Sequence, residues 1–116
     1  MRDWTRLKKR YLRDELPIRL GNLASNLARI KSFSRDFENG NTVEGVIQES
    51  KFFIEWTASE AEIETAAELV ELQIQLSRWH YRWQTIWNDP EQRMKIAEQA
   101  KVWSDRVLEM SGLLSD

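Results

Sequence analysis

The sequence contains no cysteine, and this absence excludes several kinds of site at once. Disulfides, thiolate zinc sites and cysteine nucleophiles all require a residue that the chain lacks. A cysteine-free chain is typical of a reducing compartment, so we predict a cytoplasmic location. The first residues lack the apolar stretch of a secretory signal, and no run approaches the roughly 18 apolar residues of a membrane span. Membrane association is therefore not expected.

Glycine and proline are also scarce, with four and two copies in 116 residues. The few that occur stand where helices are expected to begin or end. Asp89 precedes Pro90 and is followed three residues later by Gln92, which is a strong helix start. Gly112 suits the end of the same helix. The last helix is therefore predicted to cover about residues 90–111.

Two other boundaries are predicted from weaker signals. Gly40 and Asn41 are expected to end one helical segment, and Thr42 to cap the next one. Near 57–60, Thr57 and Ser59 each have a glutamate three residues later, as in a capping box. Nothing at this point forbids a continuous helix, so residues 43–88 form either one helix or two.

The apolar residues recur at alternating spacings of three and four, and no stretch alternates with a period of two. This pattern predicts an all-α, antiparallel four-helix bundle in one domain, 1–116, with a short accessory helix at 3–13. The main helices are expected at 15–38, 43–57, 60–88 and 90–111, the second being about half as long as the third. The seams of the first, third and last helices are Leu16, Leu20, Leu23, Leu27, Ile30, Ser34 and Phe37; Leu69, Leu72, Leu76, Trp79, Trp83 and Ile86; and Ile96, Ala100, Trp103, Val107, Met110 and Leu114.

Charge is distributed unevenly along a chain whose net charge is only −2. Residues 1–35 hold ten basic and three acidic side chains, whereas residues 36–77 hold one basic and ten acidic ones. The two segments are expected mainly to neutralise each other across the fold, although either could attract a partner of opposite charge. An acidic protein is a candidate partner for the basic arm within residues 1–35, which consists of Arg6, Lys8, Lys9, Arg10 and Arg13.

The chain also has six tryptophans, three of which are spaced four residues apart: Trp79, Trp83 and Trp87. Residues at this spacing share a helix face, and the first two lie on the third helix's seam. We therefore expect core packing, with Trp87 as the residue most exposed to a partner or planar ligand. The adjacent arginines are placed as though to stack on indoles. The predicted interface or ligand residues are Trp56, Arg78, Trp79, Arg82, Trp83 and Trp87.

Motifs for metal, nucleic-acid and catalytic chemistry are weak. His80 is the only histidine, and Ser77 stands where a di-iron bundle would need glutamate. The acidic run Glu60, Glu64, Glu68 and Glu71 is assigned to one helix face, but the last helix offers only Glu98 and Asp105, seven residues apart, to complete a metal site. We predict no cofactor, no metal, no catalytic residue and no nucleic-acid binding.

Two segments resemble a known kind of protein. Asn26-Leu27-Ala28-Arg29-Ile30-Lys31-Ser32 and the stretch 79–88 resemble small uncharacterised helical proteins encoded in cyanobacterial genomes. The resemblance implies an all-α intracellular protein, and it carries no functional residue over to this chain.

Together these features predict a non-enzymatic protein that acts as a protein–protein interaction or structural module. We expect a homodimer whose exposed anchors are Trp56, Trp83 and Trp87. Two alternatives stay open: a noncovalent binder of a planar hydrophobic ligand held by the tryptophans, and a carboxylate-metal hydrolase.

Overall fold

The computed structural model describes residues 3–114, so the two residues at each end of the predicted domain lie outside the described chain. The described part is all-helical and has no strand, which confirms the all-α part of the predicted fold. It contains two 3₁₀ turns, at Phe37–Asn39 and Ala58–Glu60. Its six helices are α1 (Trp4–Leu12), α2 (Leu16–Phe33), α3 (Gly40–Thr57), α4 (Ile63–Tyr81), α5 (Trp83–Trp87) and α6 (Pro90–Ser111).

The last helix has the ends that the sequence predicts. Asp89 accepts a hydrogen bond from the backbone N–H of Glu91 at 3.0 Å and another from the Gln92 side-chain amide at 3.0 Å. These two donors hold the pKa of the Asp89 carboxyl below its usual range, with the Gln92 bond the larger cause. Gly112 ends the helix in the left-handed conformation, at φ 76°.

Three other boundaries differ from the prediction. Helix α2 ends at Phe33 instead of residue 38, because a bend and a 3₁₀ turn follow it. Helix α3 begins at Gly40, which was predicted to end the preceding helix. Thr42 lies inside α3 and therefore does not cap it as predicted. Helix α4 is capped by Glu62 without a side-chain hydrogen bond, so the capping boxes predicted at Thr57 and Ser59 are wrong.

The segment 43–88 contains two breaks. The first, at Ala58–Glu60, separates α3 from α4 and excludes the single long helix. The second is at Arg82, whose φ and ψ of −103° and 23° leave the helical region and separate α4 from the five-residue α5. As a result α3 and α4 have nearly equal lengths of 18 and 19 residues, and the predicted two-fold difference is wrong.

Helix α2 packs against both α3 and α6. Helix α4 packs against α3, and α5 packs on α6. The predicted seams supply the core, since almost all of their members are buried. Leu16 and Met110, at helix ends, are partly buried, and Phe37 and Leu114, which lie beyond α2 and α6, are exposed. Side chains that are completely enclosed include Leu23, Leu27, Ile30, Ile47, Leu69, Leu72, Leu76 and Val107.

Helix α1 is held in place by a buried polar cluster. The Tyr11 hydroxyl donates to the Arg19 carbonyl at 3.0 Å and is 2.9 Å from the Thr57 hydroxyl. The Arg19 guanidinium donates to the carbonyls of residues 14 and 12 and to Glu60 Oε2, at 2.8, 3.3 and 2.8 Å. Burial raises the pKa of the Tyr11 hydroxyl to about 12. The cluster thus connects α1 to α2 and to the 3₁₀ turn that contains Glu60.

No helix within residues 3–114 is both long enough and apolar enough to cross a membrane.

Candidate functional site

The three tryptophans of the 79–87 segment are all buried. Trp79 and Trp83 lie in the core as predicted, but the prediction that Trp83 and Trp87 are exposed anchors is wrong. Trp87 is only 6% exposed, and its Nε1 donates to the Phe37 carbonyl at 2.7 Å. The break at Arg82 is the reason, because it turns α5 away from the axis of α4 and toward α6.

The open faces of these indoles are covered by other side chains. Trp83 and Trp87 stack on each other with their ring centroids 5.1 Å apart, and Phe37 lies 6.3 Å from Trp87. The Arg93 guanidinium lies 5.5 Å from the Trp87 ring and donates to the Trp87 carbonyl at 2.6 Å. A planar ligand would have to displace these groups to stack on Trp87.

The arginines that stack on aromatic rings are not the predicted ones. Arg93 covers Trp87, and Arg106 lies over Trp103 at 4.3 Å from its centroid. Arg78 and Arg82 are exposed and make no ion pair or ring contact with any residue between 3 and 114. The sequence could not reveal Arg93 as the residue that covers Trp87, because Arg93 lies on a different helix from this ring.

Trp56 is half-buried within an aromatic cluster at the junction of α1 and α3. Its ring lies 5.8 Å from Tyr11 and 5.5 Å from Phe52. On the same side Trp4 contacts Phe52 at 4.4 Å, and Tyr11 stacks on Phe53 at 4.1 Å. This cluster joins the accessory helix to α3, so Trp56 is mainly an internal contact.

The remaining face of α1 is basic. Arg6, Lys8, Lys9, Arg10 and Arg13 are all exposed, as expected for a helix that packs through its apolar edge. Their side chains make no ion pair with any described residue. The predicted neutralisation of residues 1–35 by residues 36–77 therefore does not involve these five residues. It occurs instead at Arg19, which pairs with Glu60.

His80 is half-buried and lies between two residues of α3. Its Nε2 is 3.6 Å from Glu44 Oε2, and its Nδ1 is 3.5 Å from Lys51 Nζ. These contacts join α4 to α3 through polar groups.

Only three of the four glutamates assigned to one helix face lie on α4, where Glu64, Glu68 and Glu71 keep the spacing of one face. Glu60 lies in the 3₁₀ turn before α4 and pairs with Arg19, whereas Glu68 pairs with Arg106 of α6. Glu64 and Glu71 are exposed. Among residues 3–114 no three histidine, aspartate or glutamate side chains come together as they would around a metal ion. The carboxylates therefore do not converge on one site.

A surface that the sequence reasoning missed lies on the outer face of α4. Six positions spaced 4-3-4-3-4 form a row along the whole helix, and we call it the α4 stripe: Ile63, Ala67, Val70, Ile74, Ser77 and Tyr81. Five of the six residues are exposed, and the exposed fraction reaches 87% for Ile63 and 91% for Tyr81. The opposite face buries Leu69, Leu72 and Leu76 against the rest of the protein.

A helix that is apolar on two faces normally has neighbours on both, but α4 has a neighbour on only one. Monomeric proteins tolerate isolated exposed hydrophobic residues, whereas a contiguous row of them marks an interaction site. Near the C-terminal end of the α4 stripe, Ile74 and Tyr81 form a shallow apolar hollow together with Gln73, Arg78 and Arg82. The Gln73 side-chain N–H donates to the Lys51 carbonyl, and its buried Oε1 has no partner in the described chain.

The signal for this surface was present in the sequence. The spacing 63-67-70-74-77-81 is a heptad pattern, but the leucine seam has larger residues. Only the structure shows that the leucine seam fills the core and that the α4 stripe is left over.

Comparison with known proteins adds no relative to these observations. No family model, no curated protein and no solved structure matches this chain. The resemblance to small cyanobacterial helical proteins therefore stays a prediction.

Proposed function

We propose that this protein is a non-enzymatic protein–protein interaction module, and that the α4 stripe is its binding surface for another amphipathic helix. The observation that carries the proposal is the continuous exposed row from Ile63 to Tyr81. A mainly apolar row at alternating spacings of four and three is complementary to a second helix with the same periodicity.

The arrangement of the other helices supports this proposal. The short connections at 34–39, 58–62 and 82–89, the last of which contains α5, favour an antiparallel four-helix bundle formed by α2, α3, α4 and α6, with α1 as the accessory helix. In that arrangement α4 is an outer helix that is fixed at its inner face by completely buried leucines. A rigid helix loses little conformational freedom when it binds, which favours association.

The exposed basic face of α1 supports a second, separate contact with an acidic protein segment. Its five basic side chains have no acidic partner in the described chain, so a partner's carboxylates would not compete with an internal ion pair. Such a contact is mainly electrostatic, so added salt would weaken it. At physiological ionic strength, exposed charges farther apart than the Debye length of about 8–10 Å are largely screened from each other.

The test of the main function is capture by the tagged protein in the cells that express it, with each captured protein then purified and measured for direct binding. We expect Ile74→Glu to weaken direct binding at least about tenfold. The matched control is Val102→Glu, because Val102 is an equally exposed apolar residue of α6, at 56% against 48% for Ile74. Equal binding by the wild type and the Ile74 variant would refute the α4 stripe as the binding surface.

A further inference from the structure

We infer that the helix bound by the α4 stripe is α4 of a second copy of this chain, packed antiparallel about a two-fold axis. This inference rests on the proposed function, and it names the partner. It is drawn from two properties of α4, the symmetry of its apolar spacing and the separation of its charges.

The spacing 4-3-4-3-4 is the same when it is read in the opposite direction. An antiparallel copy can therefore align every apolar layer in one register, which pairs Ile63 with Tyr81 of the partner subunit and Val70 with the partner's Ile74. In the layer between these two, Ala67 meets the partner's Ser77. In this register small residues lie opposite small ones and large residues opposite large ones. A two-fold axis repeats each contact, as in an isologous interface.

The charges along α4 decide the direction. The N-terminal half and its cap carry Glu62, Glu64, Glu68 and Glu71, whereas the C-terminal end carries Arg78, His80 and Arg82. Glu64 and Arg78 are exposed and border the α4 stripe on one side. Neither of them makes an ion pair within residues 3–114. A parallel copy would place like charges together along the whole helix.

An antiparallel copy places the acidic half of α4 beside the basic end of its partner. Glu64 then lies next to the partner's Arg78, and the symmetry repeats this pair. Glu71 meets its own copy near the axis, so one like-charge contact is set against two opposite-charge contacts. Charges that flank an apolar seam select the orientation of paired helices.

The orientation can be tested by disulfide mapping, because the wild-type chain has no cysteine. Ala67→Cys and Ser77→Cys are small substitutions at positions on the α4 stripe. We expect the two variants, when mixed and mildly oxidised, to form the mixed disulfide at least about tenfold faster than either homodisulfide. A helical circular dichroism spectrum equal to that of the wild type verifies folding of each variant. Homodisulfides that form faster than the mixed species would overturn the antiparallel arrangement.

Charge exchange is an independent test. We expect Glu64→Arg and Arg78→Glu each to weaken the dimer about threefold to tenfold in sedimentation equilibrium, and the double variant to recover most of the loss. A double variant weaker than both single variants would contradict the pairing.

A wild-type mass of one chain across the concentration range would overturn the second copy as the partner. It would leave the proposed function standing if binding to another captured protein still depended on Ile74. Loss of that dependence as well would refute both proposals.

Discussion

The contact between Gly40 and Trp87 gives a quantitative test of how the aromatic corner is built. A Cβ added at residue 40 would lie 2.6 Å from Nε1 of Trp87 and 2.9 Å from its Cδ1. Neither atom can move aside easily, because the indole is buried, stacks on Trp83 and donates to the Phe37 carbonyl. Gly40→Ala must therefore displace the ring or the start of α3.

The expected loss of stability follows from three contributions. Overpacking a fixed core costs about 1–3 kcal/mol, and weakening the hydrogen bond from the Trp87 indole costs about 1 kcal/mol. Replacing glycine by alanine in a helix returns at most about 1 kcal/mol. We expect Gly40→Ala to lower the free energy of unfolding by about 1–3 kcal/mol.

The matched control lies five residues later in the same helix. A Cβ at Gly45 meets no atom within 4 Å, so only the gain in helix propensity applies there. We expect Gly45→Ala to raise the free energy of unfolding by about 0.5–1 kcal/mol. Urea unfolding followed by circular dichroism measures both values. A Gly40 variant that is as stable as the Gly45 variant would refute the close contact with Trp87.

The remaining predictions concern the polar cluster and one helix end. Tyr11→Phe removes the hydroxyl bonded to the Arg19 carbonyl and near Thr57, and should cost about 1–2 kcal/mol in urea unfolding at neutral pH. Because the pKa of folded Tyr11 is raised to about 12 from an ordinary 10.0, this residue's contribution is complete below pH 10. Wild type should then lose about 2–3 kcal/mol relative to the Phe variant between pH 10 and 12, and parallel curves would contradict the raised pKa. Arg19→Lys should lower the free energy of unfolding by about 1–3 kcal/mol and speed tryptic cleavage of α1, because the two carbonyls that Arg19 bonds lose their donor. The control Arg29→Lys should change the free energy of unfolding by less than about 0.5 kcal/mol. Equal cleavage rates for wild type and the Arg19 variant would refute the role of Arg19 in holding α1. Gly112→Ala should lower the thermal midpoint by the equivalent of about 1 kcal/mol because φ is 76°, and an unchanged midpoint would show that the helix end tolerates a side chain.

The features that local chemistry determines could be predicted from the sequence. Both ends of α6 follow from Asp89, Pro90 and Gly112, since a cap and a left-handed glycine act on their own helix. The buried seams of α2 and α6 follow from periodicity, because each of these helices has one clearly apolar face. The helical class followed from the same patterns.

The features that were missed depend on contacts between residues distant in sequence. Gly40 was interpreted as a helix terminator, but its function in the fold is to let Trp87, 47 residues later, approach the backbone of α3. The sequence predicts an exposed Trp87 because, in one continuous helix, this residue lies one step off the seam that holds Trp79 and Trp83. The break at Arg82 changes the direction of the chain, and no glycine or proline marks it.

The α4 stripe was missed for a different reason. Its spacing is visible in the sequence, but a helix with two apolar faces does not reveal which face meets the core. The larger leucines at 69, 72 and 76 decide the matter, because the row that contains Ala67 and Ser77 offers less apolar volume to the core. Periodicity therefore found the helix but could not assign its faces.

The stacking of Trp83 on Trp87 has an optical consequence. Two indoles with centroids 5.1 Å apart and planes inclined by 24° have electronic transitions that couple. The coupling adds a pair of bands of opposite sign to the far-ultraviolet circular dichroism, superimposed on the helix signal. Trp87→Phe would remove these bands while the helices stay folded, so a difference spectrum against wild type would isolate them. This chain thus carries a built-in chromophore pair that reports the packing of α5 independently of overall helicity.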